Sequence, residues 1–447
     1  MMKMTKIAVL LAAVGVSASA FATDGYFAHG YGMKAKGMGG AATAMASDAM
    51  GGANNPASMV WAGDRLDIGL DFFSPRRSIE RTGATPVGPG TVGFNGTDTS
   101  GSNLHYVPEF GFNKMLGWDM SMGVTVYGNG GMNTDFQGGQ VPANTACPGF
   151  LPGFASYNLL CGNGRMGVDL MQLIIAPTFA MKVNKSNSLG VSLLIGHQQF
   201  KASGIQSFAG FSATPTNLSN LGRDKSNGYG FRFGWMGQLN DQVTMGAAYA
   251  TKMKMSKFDL YKGLFAEEGG FDIPENWNIG IAFKPSQQWK LAADYQRINY
   301  GGVKSIANSS VMPPDPAGLG AGIPGSLGCS TCRGFGWSNI DVIKLGVEYQ
   351  LNSALTLRAG YNRSENPISS RDVTFNMLAP GVIQDHYTLG FTYNVSKDSE
   401  LTMAYMHGAK NSVSGPSLFN YFTGNTAGTD KIEMYQDSLG IAYGMKF

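Results

Sequence analysis

From about residue 63 to the end, apolar and polar positions alternate along the chain. In the last segment Tyr435, Leu439, Ile441, Tyr443, Met445 and Phe447 share one face, and Gln436, Ser438, Gly440, Ala442, Gly444 and Lys446 share the other. The same pattern runs through Tyr387–Val395, Ile343–Leu351, Trp277–Phe283 and Tyr229–Trp235. A period of two is the signature of a strand with one apolar face. The segments run about 9–11 residues, the length of a strand that crosses a bilayer. Aromatic residues gather at their ends, as an interfacial girdle requires. In a membrane barrel the apolar face meets lipid and the polar face lines the lumen.

The connections alternate between tight and long. Tight ones are Lys114–Trp118, Asn184–Asn187, Asn240-Asp241, Pro285–Gln287, Asn352-Ser353 and Ser396–Asp398. Long ones are Arg81–Ser102, Gly130–Gly167, Gly204–Ser226, Asp259–Asp272, Lys304–Asn339, Asn366–Ile383 and Val413–Lys431. Short periplasmic turns opposite long outer loops fit an outer-membrane barrel. The breaks delimit about 14 strands, and the sheet must close because lipid cannot satisfy an open edge. The expected fold is all-β: a 14-stranded antiparallel transmembrane β-barrel over residues 63–447.

Residues 23–62 do not alternate. They are rich in Gly, Ala and Met, as in Gly37-Met38-Gly39-Gly40-Ala41-Ala42. Side chains alone do not fill a lumen of this size, so a compact hatch inside the barrel is expected there. Before it, Lys3 and Lys6 precede the apolar run Ile7–Val16, and small residues end at Ala20-Phe21-Ala22. This reads as a signal peptide over residues 1–22, and the run is too short for a spanning helix.

Composition narrows the classes. Of 447 residues 63 are glycine, about twice ordinary usage, and charged residues make up only 14%. A mean hydropathy of -0.08 argues against a bundle of membrane helices, and 11% aromatics argue against disorder. The formal charge of +3 comes without any basic run, so nucleic acid is not an expected partner. Four cysteines suit an oxidising compartment. Cys147 pairing with Cys161, and Cys329 with Cys332, as two local loop disulfides is favoured over a metal or redox C-x-x-C.

The five histidines show no zinc spacing, and no Ser or Asp is set beside a base. No enzyme, metal or cofactor is expected. Candidate ligand contacts are instead the apolar residues of two outer loops: Phe258, Leu260, Tyr261, Leu264, Phe265 and Phe271 in one, Phe208 and Phe211 in the other. The third strand is expected over Met120–Tyr127, meeting Gly128-Asn129-Gly130-Gly131. Glycines at a strand end permit a bulge or bend. Gly128, Gly130 and Gly131 therefore mark a candidate lateral opening, although they also suit the start of the loop toward Cys147.

Several segments carry a family resemblance when taken in order. Asn55-Pro56-Ala57 closes the Gly/Ala-rich stretch, Ile273-Pro274-Glu275-Asn276-Trp277 opens a strand, Tyr405-Met406-His407-Gly408 lies in the penultimate strand, and Phe208-Ala209-Gly210 follows the fifth. Together they resemble the FadL/TodX family of outer-membrane transporters of long-chain fatty acids and other hydrophobic compounds. The resemblance implies a hatch, capture of a hydrophobic ligand by outer loops, and passive release into outer-membrane lipid near a kinked third strand. It also implies a terminal aromatic, Phe447, read by the barrel-assembly machinery. The chain departs from fatty-acid members in a shorter Gly204–Ser226 loop and a longer Gly130–Gly167 loop. The nearest cation for a fatty-acid carboxylate is Lys201, so a neutral hydrocarbon is an equally open substrate. The alternative function is a general porin or structural barrel.

Overall fold

The computed structural model describes residues 24–311, 326–423 and 428–447. The expected signal peptide at 1–22 lies outside the described residues. Among them, fourteen antiparallel strands pair in chain order and the last pairs with the first. They are β1 (Arg65–Thr82), β2 (His105–Met115), β3 (Met120–Asn133), β4 (Gly167–Lys182), β5 (Asn187–Ser203), β6 (Asp224–Gln238) and β7 (Val243–Ala250). The second half comprises β8 (Asn276–Phe283), β9 (Trp289–Ile298), β10 (Ile340–Gln350), β11 (Leu355–Ser364), β12 (Asp385–Asn394), β13 (Ser399–Pro416) and β14 (Thr429–Lys446). Short pieces at Gly96–Thr99 and Lys254–Met255 extend β1 and β6. Among the described residues no helix is long and apolar enough to cross a membrane.

The wall has its apolar side outward. On β14, Tyr435, Leu439, Ile441, Tyr443 and Met445 are each at least 38% exposed, while inward Gln436 and Ser438 are buried. Lipid accepts the first set, and the lumen hydrogen-bonds the second. Asparagine sets three of the tight turns. Asn184 Oδ1 accepts from the backbone N–H groups of Ser186 and Asn187, Asn240 Oδ1 from Gln242 and Val243, and Asn352 Oδ1 from Ala354 and Leu355. These are Asx turns, which fix the register of the strands they join.

Residues 24–62 pack against the inward faces of the strands. Here the glycine excess finds its use. A Cβ at Gly246 would lie 2.1 Å from the Thr43 carbonyl oxygen, at Gly360 2.1 Å from the Gly39 nitrogen, and at Gly234 2.0 Å from Asn55 Oδ1. Three cross-strand pairs, Gly190–Gly234, Gly246–Gly280 and Gly346–Gly360, form parts of this ring. Only a glycine leaves room for backbone to lie so close to the wall at these positions. Charges join the same surfaces: Lys36 meets Asp71 at 2.6 Å and Lys34 meets Glu400 at 2.6 Å.

Candidate ligand route: an apolar cluster beside a gap in the wall

The outer loops fold inward over the lumen. Phe200, at the top of β5, anchors the packed aromatic cluster they form. Its ring lies 5.6 Å from Phe258, 4.8 Å from Tyr261 and 4.6 Å from Phe265, and Phe271 stacks on at 4.9 Å from Phe265. The Tyr261 hydroxyl donates to the Gly222 carbonyl at 2.5 Å, and burial raises the phenol pKa, so it stays a donor. The tip of the N-terminal segment joins the same cluster: Tyr26 lies 5.2 Å from Tyr300, 5.9 Å from Trp337 and 6.3 Å from Phe271.

This arrangement turns the candidate loop residues inward. Phe208, Phe258, Tyr261, Leu264, Phe265 and Phe271 are not displayed to water; each is at most 5% exposed. Phe211 is half-buried, and Leu260 alone among these residues keeps 36% exposure. The cause is geometric. Loops that must bridge a wide lumen bury their apolar sides against one another. Lys201 stands apart from this cluster. It is exposed on the outward side of β5, in step with Leu193 and Ile195. Both disulfides lie in outer loops, linking Cys147 to Cys161 and Cys329 to Cys332.

The third strand also differs from its expected span. It does not stop at Tyr127 but continues through the glycines to Asn133. Its ladder with β4 slips between Gly128 and Gly130, leaving Asn129 as a bulge. Val126, which alternation from exposed Met122 would place on the lipid side, is buried. Pairing of β3 with β2 ends at Phe110–Val126, whereas β2 itself continues to His105 along β1. The upper half of β3 thus turns away from β2 and follows β4. Above, Gly101 N donates to Asp135 O at 2.8 Å and closes the gap. Phe72 and Tyr106, both lipid-facing and in edge-to-face contact at 5.6 Å, stand beside it, which places the gap at bilayer height.

The N-terminal segment lies across this gap from within. Gly131 N donates to Tyr26 O at 3.1 Å and Ala28 N to Asn129 O at 3.2 Å. On the other side, Gly32 N and Met33 N donate to the Glu109 carboxylate of β2 at 3.2 and 3.1 Å. Gly130 permits the approach, since a Cβ there would lie 1.9 Å from Tyr26 O. Further down, Asn55 caps the turn at Pro56, its Oδ1 accepting from Ala57 N at 3.1 Å. Its amide donates to Thr43 O at 2.7 Å and to Trp235 O on β6 at 2.9 Å. Asp294 on β9 accepts from Ala42 N, Thr43 N and the Thr43 hydroxyl. A cavity of about 20 Å³ between this segment and the wall is lined by Tyr31, Asn54, Arg232, Asp294 and Lys344. That is room for a water molecule and no more.

Glu109, Tyr26, Tyr300 and Trp337 are the residues that sequence reasoning missed. Glu109 carried a signal, being an acid between apolar neighbours on a short strand. The other three carried none, because only the folded loops bring them together. Phe447 lies on the outer face, its ring 5.9 Å from Phe112 with the Lys114 ammonium 5.1 Å above it.

A family model described as outer membrane protein transport protein (OMPP1/FadL/TodX) matches residues 158–447. Among curated proteins, an outer membrane protein of Neisseria meningitidis serogroup B is 20% identical over 265 residues, covering 49% of this chain. The match spans about half, 51%, of that relative's length. Among solved structures, the toluene transporter TodX of Pseudomonas putida superposes with a TM-score of 0.66 at 19% identity. A FadL homologue of Pseudomonas aeruginosa gives 0.66 at 14%, and the toluene transporter TbuX of Ralstonia pickettii 0.61 at 18%. Each alignment covers 94% of this chain and 99% of the other. At these identities the likeness establishes a shared barrel fold.

Proposed function

The chain belongs to the outer membrane protein transport protein family (OMPP1/FadL/TodX) and resides in the outer membrane, and from that premise we propose that it carries hydrophobic small molecules passively across that membrane. The substrates are long-chain fatty acids or aromatic and aliphatic hydrocarbons, as the toluene transporters of the same fold suggest. The observation that carries the reading is the adjacency of a packed apolar cluster, reaching Tyr26, to a gap in the wall at bilayer height. Residues 23–62 act as the hatch. The ligand rests among the Phe200–Phe258–Phe265 rings, displaces Tyr26 and Phe27 from β3, and leaves sideways past Gly128, Gly130 and Gly131. An apolar molecule gains roughly 25 cal/mol per Å² by moving into lipid instead of periplasmic water, so no energy source is needed. A general porin requires an unobstructed polar lumen, and the hatch and the apolar cluster above it support the selective reading instead. No catalytic role is proposed.

The test is to replace Gly128, Gly130 and Gly131 by Val, singly and together, and to measure uptake of radiolabelled naphthalene and oleate. Uptake should fall while the heat-modifiable folded band is kept. A folded triple variant with parental uptake would remove the sideways route.

A further inference from the structure

The outward face of β5 and β6 changes character towards the outer loops. On β6, Phe233, Phe231 and Tyr229 point to lipid, Tyr229 at 62% exposure, and Ile195 of β5 pairs with Tyr229. The next outward positions are polar. His197 pairs with Asn227 and Gln199 with Lys225, and Lys201 follows two residues on. On the other edge of β6, Lys254 pairs with Tyr229. All three lysines are exposed. The amides between them form a bonded row: His197 Nδ1 lies 2.7 Å from Asn227 Oδ1, and Gln199 Nε2 lies 3.2 Å from His197 Nε2.

Lys201, Lys225 and Lys254 make no ion pair among the described residues. The acids around them are engaged. Asp169, directly across from Lys201 on β4, accepts from Arg223 and Asn133. Asp224 accepts from the backbone N–H groups of Lys225 and Leu260, both at 2.8 Å, and Asp272 accepts from Met255 N at 2.9 Å and meets Lys252 at 3.7 Å. Elsewhere on the outward rim cations are matched: Arg297 with Asp341 at 2.6 Å, Arg363 with Asp385 at 3.1 Å and Lys410 with Glu433 at 2.6 Å. Lys201 and Lys225 are diagonal neighbours on adjacent strands, about 7–8 Å apart at Cβ. Like charges so placed repel, and an anion that reaches both relieves the repulsion.

We propose that Lys201, Lys225 and Lys254 form a binding site on the outside of the barrel for a phosphorylated, multiply acylated glycolipid of the outer leaflet, of the lipid A class. Its acyl chains lie along Ile195, Phe231 and Phe233. Its phosphates take charge-assisted hydrogen bonds from the lysines, and the row of His197, Asn227 and Gln199 faces its sugar. Two features select this occupant. The apolar and cationic rows form one continuous outward surface, so the guest carries hydrocarbon and negative charge in one molecule. Lys254 also stands one strand over and four residues along from Lys225, roughly 14 Å away at 3.3 Å per residue. A diphosphorylated disaccharide offers a second phosphate at such a distance, where a glycerophospholipid carries one. The site plays no part in the transport reading and stands or falls apart from it.

Binding of diphosphoryl lipid A to the purified protein in detergent is measured by native mass spectrometry, beside dephosphorylated lipid A, phosphatidylethanolamine and inorganic phosphate. The parent should hold diphosphoryl lipid A about tenfold more tightly than each of the other three. A Lys201→Gln/Lys225→Gln/Lys254→Gln triple variant, checked for the heat-modifiable folded band, should lose about tenfold in affinity, since exposed charge pairs contribute little singly and more together. The matching triple Arg variant and Arg363→Gln should stay within about twofold of the parent. Equal binding of dephosphorylated lipid A or of phosphatidylethanolamine by the parent overturns the site, as does inorganic phosphate held as tightly as the lipid. A folded Gln triple variant with parental affinity, or an equal loss in Arg363→Gln, overturns it too. The comparison of lipids on the parent decides the matter even where a variant folds poorly.

Discussion

Asp294→Ala should unfasten the hatch while leaving the barrel standing. One carboxylate oxygen accepts three hydrogen bonds from the segment, at 2.8 Å from Ala42 N, 2.9 Å from Thr43 N and 2.7 Å from the Thr43 hydroxyl. Hydrogen bonds to charged groups contribute about 1.5–3 kcal/mol each. They share one acceptor and are not additive, so a net loss of about 4 kcal/mol is a fair figure. At 1.4 kcal/mol per tenfold, the displaced population rises about a thousandfold. The wall does not depend on this side chain, because β9 is held to β8 and β10 by backbone ladders. Single-channel recordings in planar bilayers should show frequent openings where the parent stays closed. Asp294→Asn, which keeps one acceptor, should fall between. A folded Ala variant with the parent's closed baseline would show that the segment is held elsewhere and refute the reasoning.

Deleting residues 23–62 should give large, steady conductance in the same recordings; parental conductance would contradict the hatch. Arg81→Ala should leave Asp430 as an unpaired buried charge, since the two meet at 2.5 Å between the rings of Phe94 and Phe419. Loss of one partner costs about 3–5 kcal/mol, and limited proteolysis should find the outer loops cut faster. Removing Cys147 and Cys161 together should cost about 3 kcal/mol of local order by the chain-entropy argument, read as faster cleavage between them. Phe447→Ala should lower the amount of folded protein in the outer membrane; unchanged levels would argue against a role in assembly.

The strands were legible because lipid imposes a rule on every second residue. Ile343, Leu345, Leu439 and Ile441 obey it, and asparagine turns mark where it resets. The same parity places Lys201, which follows Leu193 and Ile195 by even steps, on the lipid-facing side and away from the aromatic cluster. The loops obey no such rule. Phe258 and Phe271 are fully buried, and sequence does not tell which way a loop folds. The span of β3 was misjudged for a related reason. Gly130 and Gly131 read as the end of a strand, yet they pair with Gln172 and Met171 and accommodate a second backbone from within. A glycine that ends a strand and one that receives a neighbour look alike until the neighbour is placed.

The bulge at Asn129 carries a consequence for timing. While Tyr26 and Ala28 lie along β3, their backbone groups satisfy an edge that would otherwise face hydrocarbon. Once a ligand displaces them, peptide groups stand bare in a medium that offers no replacement, at several kcal/mol each. On the proposed route the open state is therefore short-lived, and the segment re-pairs with β3 once the guest has left. Such a wall leaks little when idle, and its throughput is a series of single passages in place of a standing stream.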